Sequence, residues 1–289
     1  MNNDEMKDGM SGRILASKIF RNVVCIFLCA LSILPFWIMI ANATRASVDI
    51  QSSFSLIPST HLIENYQKLL YQCNANVPLW RYMVNSCIIA VGFTVLSLYF
   101  SSMTAYSVSV YNYKGSKAVY AFIMAIMMIP TQVSSIGFYR MCFQWNMGNN
   151  YIPLIVTGIA APATVFFMKQ FMESSLPLEI IDAARIDGSK ELHTFNTIAL
   201  PLLKPAIATQ AIFQFIASWN NFYTPSMLLT AQEKYTLPMF IQQLRGERFR
   251  SDYGIIYVGL CITILPIFVI YFALSKYIIA GVALGGVKE

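Results

Sequence analysis

Six stretches of this chain run without a single Asp, Glu, Lys or Arg: residues 22–44, 82–113, 118–139, 141–168, 205–232 and 253–275. Each reaches the roughly 20 residues that an α-helix needs to cross the hydrocarbon core of a bilayer. Lipid offers no partner to a free backbone N–H or C=O, so a crossing segment must satisfy its own, as a helix does. Composition agrees, since only 12% of the 289 residues are charged, about half the ~25% of an average soluble domain. The expected fold class is an all-α integral membrane protein with six transmembrane helices. The spans fall at about 22–44, 82–111, 118–139, 150–168, 205–230 and 253–276. They make up a domain over 22–280, between an N-terminal tail at 1–21 and a C-terminal tail at 281–289.

The first span follows the basic residues Arg13, Lys18 and Arg21, and Ala41-Asn42-Ala43 has the form of a signal cleavage site. Its apolar run is longer than a signal core and contains Pro35, Phe36 and Trp37, so it reads as a retained helix. Six crossings place both termini on one side. With the N-terminus in the cytoplasm, 12 of the 20 basic residues fall on that side, the direction that the positive-inside bias takes. The net charge of +6 suits an anionic lipid surface. The basic residues are dispersed among loops on both sides, which leaves no nucleic-acid footprint. Of six cysteines, Cys73 and Cys142 fall in outer segments and are candidates to pair, though nothing in the sequence brings them together; no C-x-x-C occurs.

Several chemistries are excluded early. His61 and His193 are the only histidines, neither has a companion at metal-ligand spacing, and no metal site is expected. Gly115-Ser116-Lys117 and Gly188-Ser189-Lys190 lack the upstream glycine of a phosphate-binding loop, so the chain is expected to bind no ATP or other cofactor by itself. None of the six spans contains an ionisable carboxylate, Lys or Arg, which argues against a proton-coupled carrier or an intramembrane enzyme.

Neutral polarity is concentrated in the fifth span. Gln210, Gln214, Ser218 and Asn221 recur at i, i+4, i+8 and i+11, one face of a helix, with Trp219, Asn220 and Tyr223 nearby. Amides hydrogen-bond hydroxyls and flat rings stack on sugars, so these residues are candidates to line a path for an uncharged, hydroxyl-rich solute. The same amides also suit hydrogen bonding between helices, and the rings suit an interfacial belt. Pro35, Pro130 (with Thr131 and Gln132), Pro153, Pro162 and Pro266 each remove a backbone donor and mark expected kinks.

Between spans four and five the chain turns charged. A helix over 178–187 places Ile180, Ala183, Ala184 and Asp187 on one face, and Asp182 with Arg185 on another. The adjacent alanines offer a flat surface to a partner. Gly188 fits a left-handed C-terminal position, Ser189 fits the cap of a second helix, and Glu191 fits that helix's positive end. Leu200-Pro201 closes the segment 176–201. Periodicity alone also allows an amphipathic connector lying on the lipid surface.

Asp182-Ala183-Ala184, Gly188 and then Ile198-x-Leu200-Pro201 resemble the EAA signature of bacterial ABC-importer permeases. Together with Trp219-Asn220, Tyr235-Thr236-Leu237-Pro238, Asn85-Ser86 and the C-terminal run 281–289, they resemble the maltose-type carbohydrate permeases. The resemblance runs from about residue 13 to the end, and departs at Asp182, where that family usually has Glu. It implies a multi-pass subunit of the bacterial cytoplasmic membrane, with both termini cytoplasmic, that imports a sugar, an oligosaccharide above all, by alternating access. Another small polar solute, or a stand-alone carrier or enzyme, are the alternatives. It further implies that the charged elbow is a cytoplasmic coupling helix docked to a partner ATPase through Asp182, Ala183, Ala184, Arg185, Asp187 and Gly188. Gly286, Val287 and Lys288 would reach the ATPase dimer, which holds the ATP and Mg. Gln243, Arg245, Arg248 and Arg250 would face an extracytoplasmic sugar-binding protein. The implied assembly pairs this chain with a second permease subunit, as a heterodimer, and with two ATPase subunits.

Overall fold

The computed structural model describes residues 3–74, 77–111, 113–246 and 252–285, and among them every regular element is helical. In chain order the helices are α1 (Asn3–Ala43), α2 (Ser47–Ser52), α3 (Leu62–Asn74), α4 (Leu79–Val110), α5 (Ser116–Met127) and α6 (Thr131–Gln144). After these come α7 (Ile152–Val156), a 3-10 turn (Thr157–Ile159), α8 (Pro162–Ser175), α9 (Leu178–Ile186) and α10 (Glu191–Thr194). A π turn (Phe195–Ala199) leads into α11 (Leu200–Leu202), α12 (Lys204–Trp219) and α13 (Tyr223–Leu228). A second 3-10 turn (Gln232–Lys234), α14 (Leu237–Gly246) and α15 (Tyr253–Gly285) complete the described chain.

Four helical segments are long and apolar enough to cross a membrane singly: Ser17–Ala43, Leu79–Val110, Ile152–Ser175 and Tyr253–Tyr277. Two further pairs pass the same test only together. Ser116–Met127 and Thr131–Gln144 meet at 94°, and Glu191–Leu202 meets Lys204–Trp219 at 81°. The chain therefore has four unbroken candidate spans, or up to six with each bent pair counted as one. The third expected span is not one helix, because Pro130 has no N–H to donate back and its extended ψ of 125° starts a new helix instead. The fifth ends early: Asn220 closes α12, and the Asn221 side chain accepts from Thr224 N at 3.2 Å to start α13.

The chain divides into two compact units. One comprises residues 1–69 with 247–262, the other 70–246 with 263–289. In the first, α1 ends at Ala43, and the Asn65 amide, 2% exposed, donates to the last helical carbonyl, Ala43 O, at 3.0 Å and to Arg45 O beyond it at 2.9 Å.

The second unit is organised around α4, which packs against α8 and α12 along its length. Ser97, Ser101 and Ser102 on α4 are fully buried, and Ser97 Oγ stands 3.5 Å from Thr164 Oγ1 of α8. Small hydroxylated residues let two helices approach closely, which counts in lipid because apolar side chains gain little by leaving it. The tightest approach is at Gly158, where an added Cβ would lie 2.5 Å from the Phe93 carbonyl of α4. At one end of α4, Tyr106, Met168, Met172, Ile181 and Phe195 form one buried cluster spanning α4, α8, α9 and the π turn. At the other end Ile89, Cys142, Leu154, Leu228 and Met239 form a second. Cys73 and Cys142 are both buried free thiols, so the two do not pair.

Candidate functional site

The charged segment folds as helix, glycine, helix. α9 is closed by a Schellman motif: Ser189 N donates to Ala184 O at 2.9 Å and Gly188 N to Arg185 O at 3.0 Å. Gly188 takes the left-handed conformation this demands, with φ +80°. The cap expected of Ser189 is not made. Lys190 occupies the N-cap of α10 without a side-chain bond, and Ser189 Oγ instead accepts from Thr194 Oγ1 at 2.8 Å.

The two alanines do not share a surface. Ala184 is 7% exposed and turned inward with Ile181, whereas Ala183 and Ile180 face outward and Ile186 is 87% exposed. Adjacent residues on a helix stand about 100° apart, so packing one alanine inward turns its neighbour out. Asp182, Asp187 and Gly188 are also exposed.

Arg185 is the hub of this segment. Its Nη1 donates to Asp182 Oδ1 at 3.0 Å and its Nε to Glu191 Oε1 at 2.8 Å, tying α9 to α10 across the glycine. The guanidinium lies 5.6 Å from the centre of the Tyr111 ring, and Tyr111 OH donates to Glu191 Oε2 at 2.9 Å. Tyr111 caps the end of α4, so the elbow is fastened to that long helix by polar contacts as well as by Ile181 and Phe195. The hydrogen bond from Arg185 holds the Glu191 carboxyl below its ordinary range, and the same bond holds the Arg185 guanidinium above its own. Sequence reasoning placed Glu191 as a dipole partner and did not reach Tyr111, whose role depends on a contact across 80 residues.

A cavity of 480 Å³ opens where the helices break. Its polar wall holds six hydroxyls (Thr131, Ser134, Ser135, Thr157, Ser218 and Thr224) and one amide, Asn221; Phe93 and Phe138 supply flat apolar faces. Among the described residues no charged side chain lines it. The N-terminal end of α6 contributes Thr131, Ser134 and Ser135 because the chain turns by 94° at Pro130. From the expected stripe, Ser218 and Asn221 reach the cavity. Tyr223 stands at its edge, its hydroxyl accepting from Ser135 Oγ at 3.4 Å. Gln210 is buried and Gln214 half-buried, and neither lines the cavity; Asn220 is exposed. Trp219 does not offer a stacking face. It is 1% exposed, stacked on Phe215, and its Nε1 donates to Thr263 O at 2.9 Å.

The two motif fragments Asn85-Ser86 and Tyr235-Thr236-Leu237-Pro238 meet in space. Asn85 Nδ2 donates to Glu233 O and Tyr235 O, both at 2.9 Å, and Ser86 Oγ accepts from Leu237 N at 2.8 Å. Beyond this lock α14 carries Gln243 and Arg245, both exposed; Arg248, Arg250, Gly286, Val287 and Lys288 lie outside the described residues.

Apolar spans broken beside a largely apolar cavity that carries hydroxyls and an amide, with a small elbow fastened to the end of α4, are the features of a solute-translocating membrane subunit. Residues 97–283 match the profile of one family, and the chain belongs to it: the binding-protein-dependent transport system inner membrane components. It is 34% identical over 265 residues to the arabinooligosaccharides transport system permease protein AraQ of Halalkalibacterium halodurans, covering 91% of this chain and 93% of that one. It is 31% identical to the melibiose/raffinose/stachyose import permease protein MelC of Bacillus subtilis, covering 96% and 99%. In fold it is similar to a chain of a bacterial ABC transporter involved in the import of the acidic polysaccharide alginate, with TM-score 0.76, 20% identity, and 92% and 97% coverage.

Proposed function

We propose that this chain is a membrane-spanning permease subunit of an ATP-driven, binding-protein-dependent importer, and that its solute is a neutral oligosaccharide. The observation that carries the solute class is the cavity wall, to which the described residues give six hydroxyls, one amide and two phenyl rings and no charge. Its volume falls within the roughly 300–1,000 Å³ typical of small-molecule sites. The two relatives named above are, by name, permease proteins for arabinooligosaccharides and for melibiose, raffinose and stachyose, which supports an oligosaccharide.

In this reading all six spans cross, and the elbow lies in the cytoplasm as the coupling helix. Its docking face is Ile180, Ala183, Ile186 and Asp187, the residues turned away from the protein. Ala184 and Gly188 shape the elbow, and Asp182 and Arg185 set its charge. ATP and Mg belong to two partner ATPase subunits, whose closure moves the elbow; the contacts to Glu191 and Tyr111 pass that motion to α4, and the cavity changes the side to which it opens. The C-terminal residues Gly286, Val287 and Lys288 extend toward the ATPases. Gln243, Arg245, Arg248 and Arg250 face the extracytoplasmic binding protein, and a second permease subunit completes the pathway as a heterodimer.

The test is uptake by the reconstituted complex. Ala183→Glu places a carboxylate on the docking face without entering the core, so ATP-driven uptake should fall to background while the chain still inserts. Undiminished uptake in this variant would sink the coupling role. Asn221→Leu removes the one amide that the described residues give the cavity wall and should raise the solute concentration needed for half-maximal uptake about tenfold, the worth of one or two hydrogen bonds.

A further inference from the structure

Arg45 is a buried cation with no counter-ion among the described residues. It stands two residues beyond the end of α1, and 5% of its surface is exposed. Its Nη2 donates to Asp49 O, Ser53 O and Ser53 Oγ, each at 2.9 Å, and its Nη1 donates to Asn42 Oδ1 at 3.2 Å. All four acceptors are neutral. They fix the guanidinium in place and leave its charge uncompensated, since no described carboxylate stands within ion-pair distance. Removing an unpaired guanidinium from water is costly unless an anion accompanies it.

A cavity of 330 Å³ lies beside this group, within the same compact unit. Arg45, Asn42, Gln51 and Ser53 form its polar wall, and Ile38 and Phe54 an apolar one. Ile38 belongs to α1, and from there toward the N-terminus the helix surface is exposed and apolar: Leu34 is 39% exposed, Leu31 55% and Phe27 63%. Trp37, whose Nε1 donates to Leu56 O at 2.9 Å, marks the level where an amphipathic ring favours the membrane interface. The order of surfaces is thus cation, polar wall, aromatic level, apolar helix. That is the order of chemistry along an anionic phospholipid.

We propose that this cavity binds the phosphodiester of an anionic phospholipid, whose oxygens accept from Arg45 while an acyl chain lies along α1. Inorganic phosphate offers the guanidinium the same oxygens but nothing to cover Ile38 and Phe54, which favours the lipid as the source. The proposal does not depend on which solute is carried, and its readout is lipid retention rather than uptake.

The test is native mass spectrometry of the assembled, detergent-purified complex with phosphatidylglycerol, with a diacylglycerol lacking a headgroup, and with inorganic phosphate. The wild type should retain phosphatidylglycerol and release the diacylglycerol. Arg45→Gln should weaken retention about tenfold, the effect of one lost charge-assisted contact. Because Arg45 also holds residues 49–53, Gln51→Glu provides the second variant: it keeps Arg45 and supplies an internal carboxylate, and should release the lipid equally. Unchanged retention in Gln51→Glu would overturn the proposal, as would equal retention of the diacylglycerol. A phosphate adduct that excess phosphatidylglycerol fails to displace would overturn the lipid assignment.

Discussion

Gly188 shows how narrow the requirement on one residue can be. An added Cβ would touch nothing within 4 Å, so the only obstacle to a side chain is the backbone, at φ +80°. The left-handed conformation costs an ordinary L-residue about 1–2 kcal/mol, and asparagine less. Hydrogen exchange over 178–194 should therefore accelerate in the order Gly188→Asn, Gly188→Ala, Gly188→Val. A flat series would mean that the turn does not hold the elbow. Glu191 adds a pH dependence with a definite sign. Its folded carboxyl titrates below the ordinary 4.5, so its contribution is present above that value and is lost as pH falls through the folded pKa. The pair is partly exposed, 31% at Arg185 and 43% at Glu191, and solvent screening keeps its worth below about 1 kcal/mol. Protection of the elbow should fall below pH 4.5 in the wild type and show no such step in Glu191→Gln.

Asn85 connects a helix to a loop some 150 residues away, and its replacement acts on both. It is 2% exposed and serves two carbonyls at once. Asn85→Ala leaves Glu233 O and Tyr235 O without that donor, at about 1–3 kcal/mol for an unsatisfied buried group. Asn85→Asp should cost more, because a carboxylate presents oxygen to oxygen. Thermal unfolding of the purified complex should rank wild type above Asn85→Ala above Asn85→Asp; equal midpoints would mean that the lock bears no strain. The sequence exposed both halves of this lock as motif fragments but not their contact, since no local period links residue 85 to residue 235. The elbow was readable for the opposite reason: helix, left-handed glycine and helix are local signals within about fifteen residues. Its inward face was not, because periodicity groups residues on a helix without saying which group meets the core, and so Ala183 and Ala184 were paired where packing separates them. In the cavity, Ser218 and Asn221 were legible from the stripe on the fifth span. Thr131, Ser134 and Ser135 were missed because Pro130 was read as a kink within a span; a 94° break turns the following residues into the N-terminal end of a new helix.

The two bent pairs decide the topology of the whole molecule. Counted as crossings, they make six spans; counted as re-entrant hairpins, they leave four, and both numbers return the chain to the side on which it began. The termini therefore cannot tell the readings apart, but Trp145 and Ile186 can. With six crossings the segment after α6 lies opposite the N-terminus and the elbow lies with it. With four, the two exchange sides. Charge favours six, because Lys169, Arg185, Lys190 and Lys204 then fall on the side where basic residues accumulate. The coupling role proposed for the elbow requires six as well, since an elbow outside the cell would stand across the membrane from ATP. Both positions are exposed, Trp145 62% and Ile186 87%, which makes them suitable for labelling. In a background with Cys25 and Cys29 replaced by alanine, Trp145→Cys should react with a membrane-impermeant maleimide on intact cells. Ile186→Cys should react only after the cytoplasmic face is opened. The reverse pattern would leave four crossings, place the Arg185–Glu191 elbow outside, and overturn the proposed coupling of this elbow to a cytoplasmic ATPase.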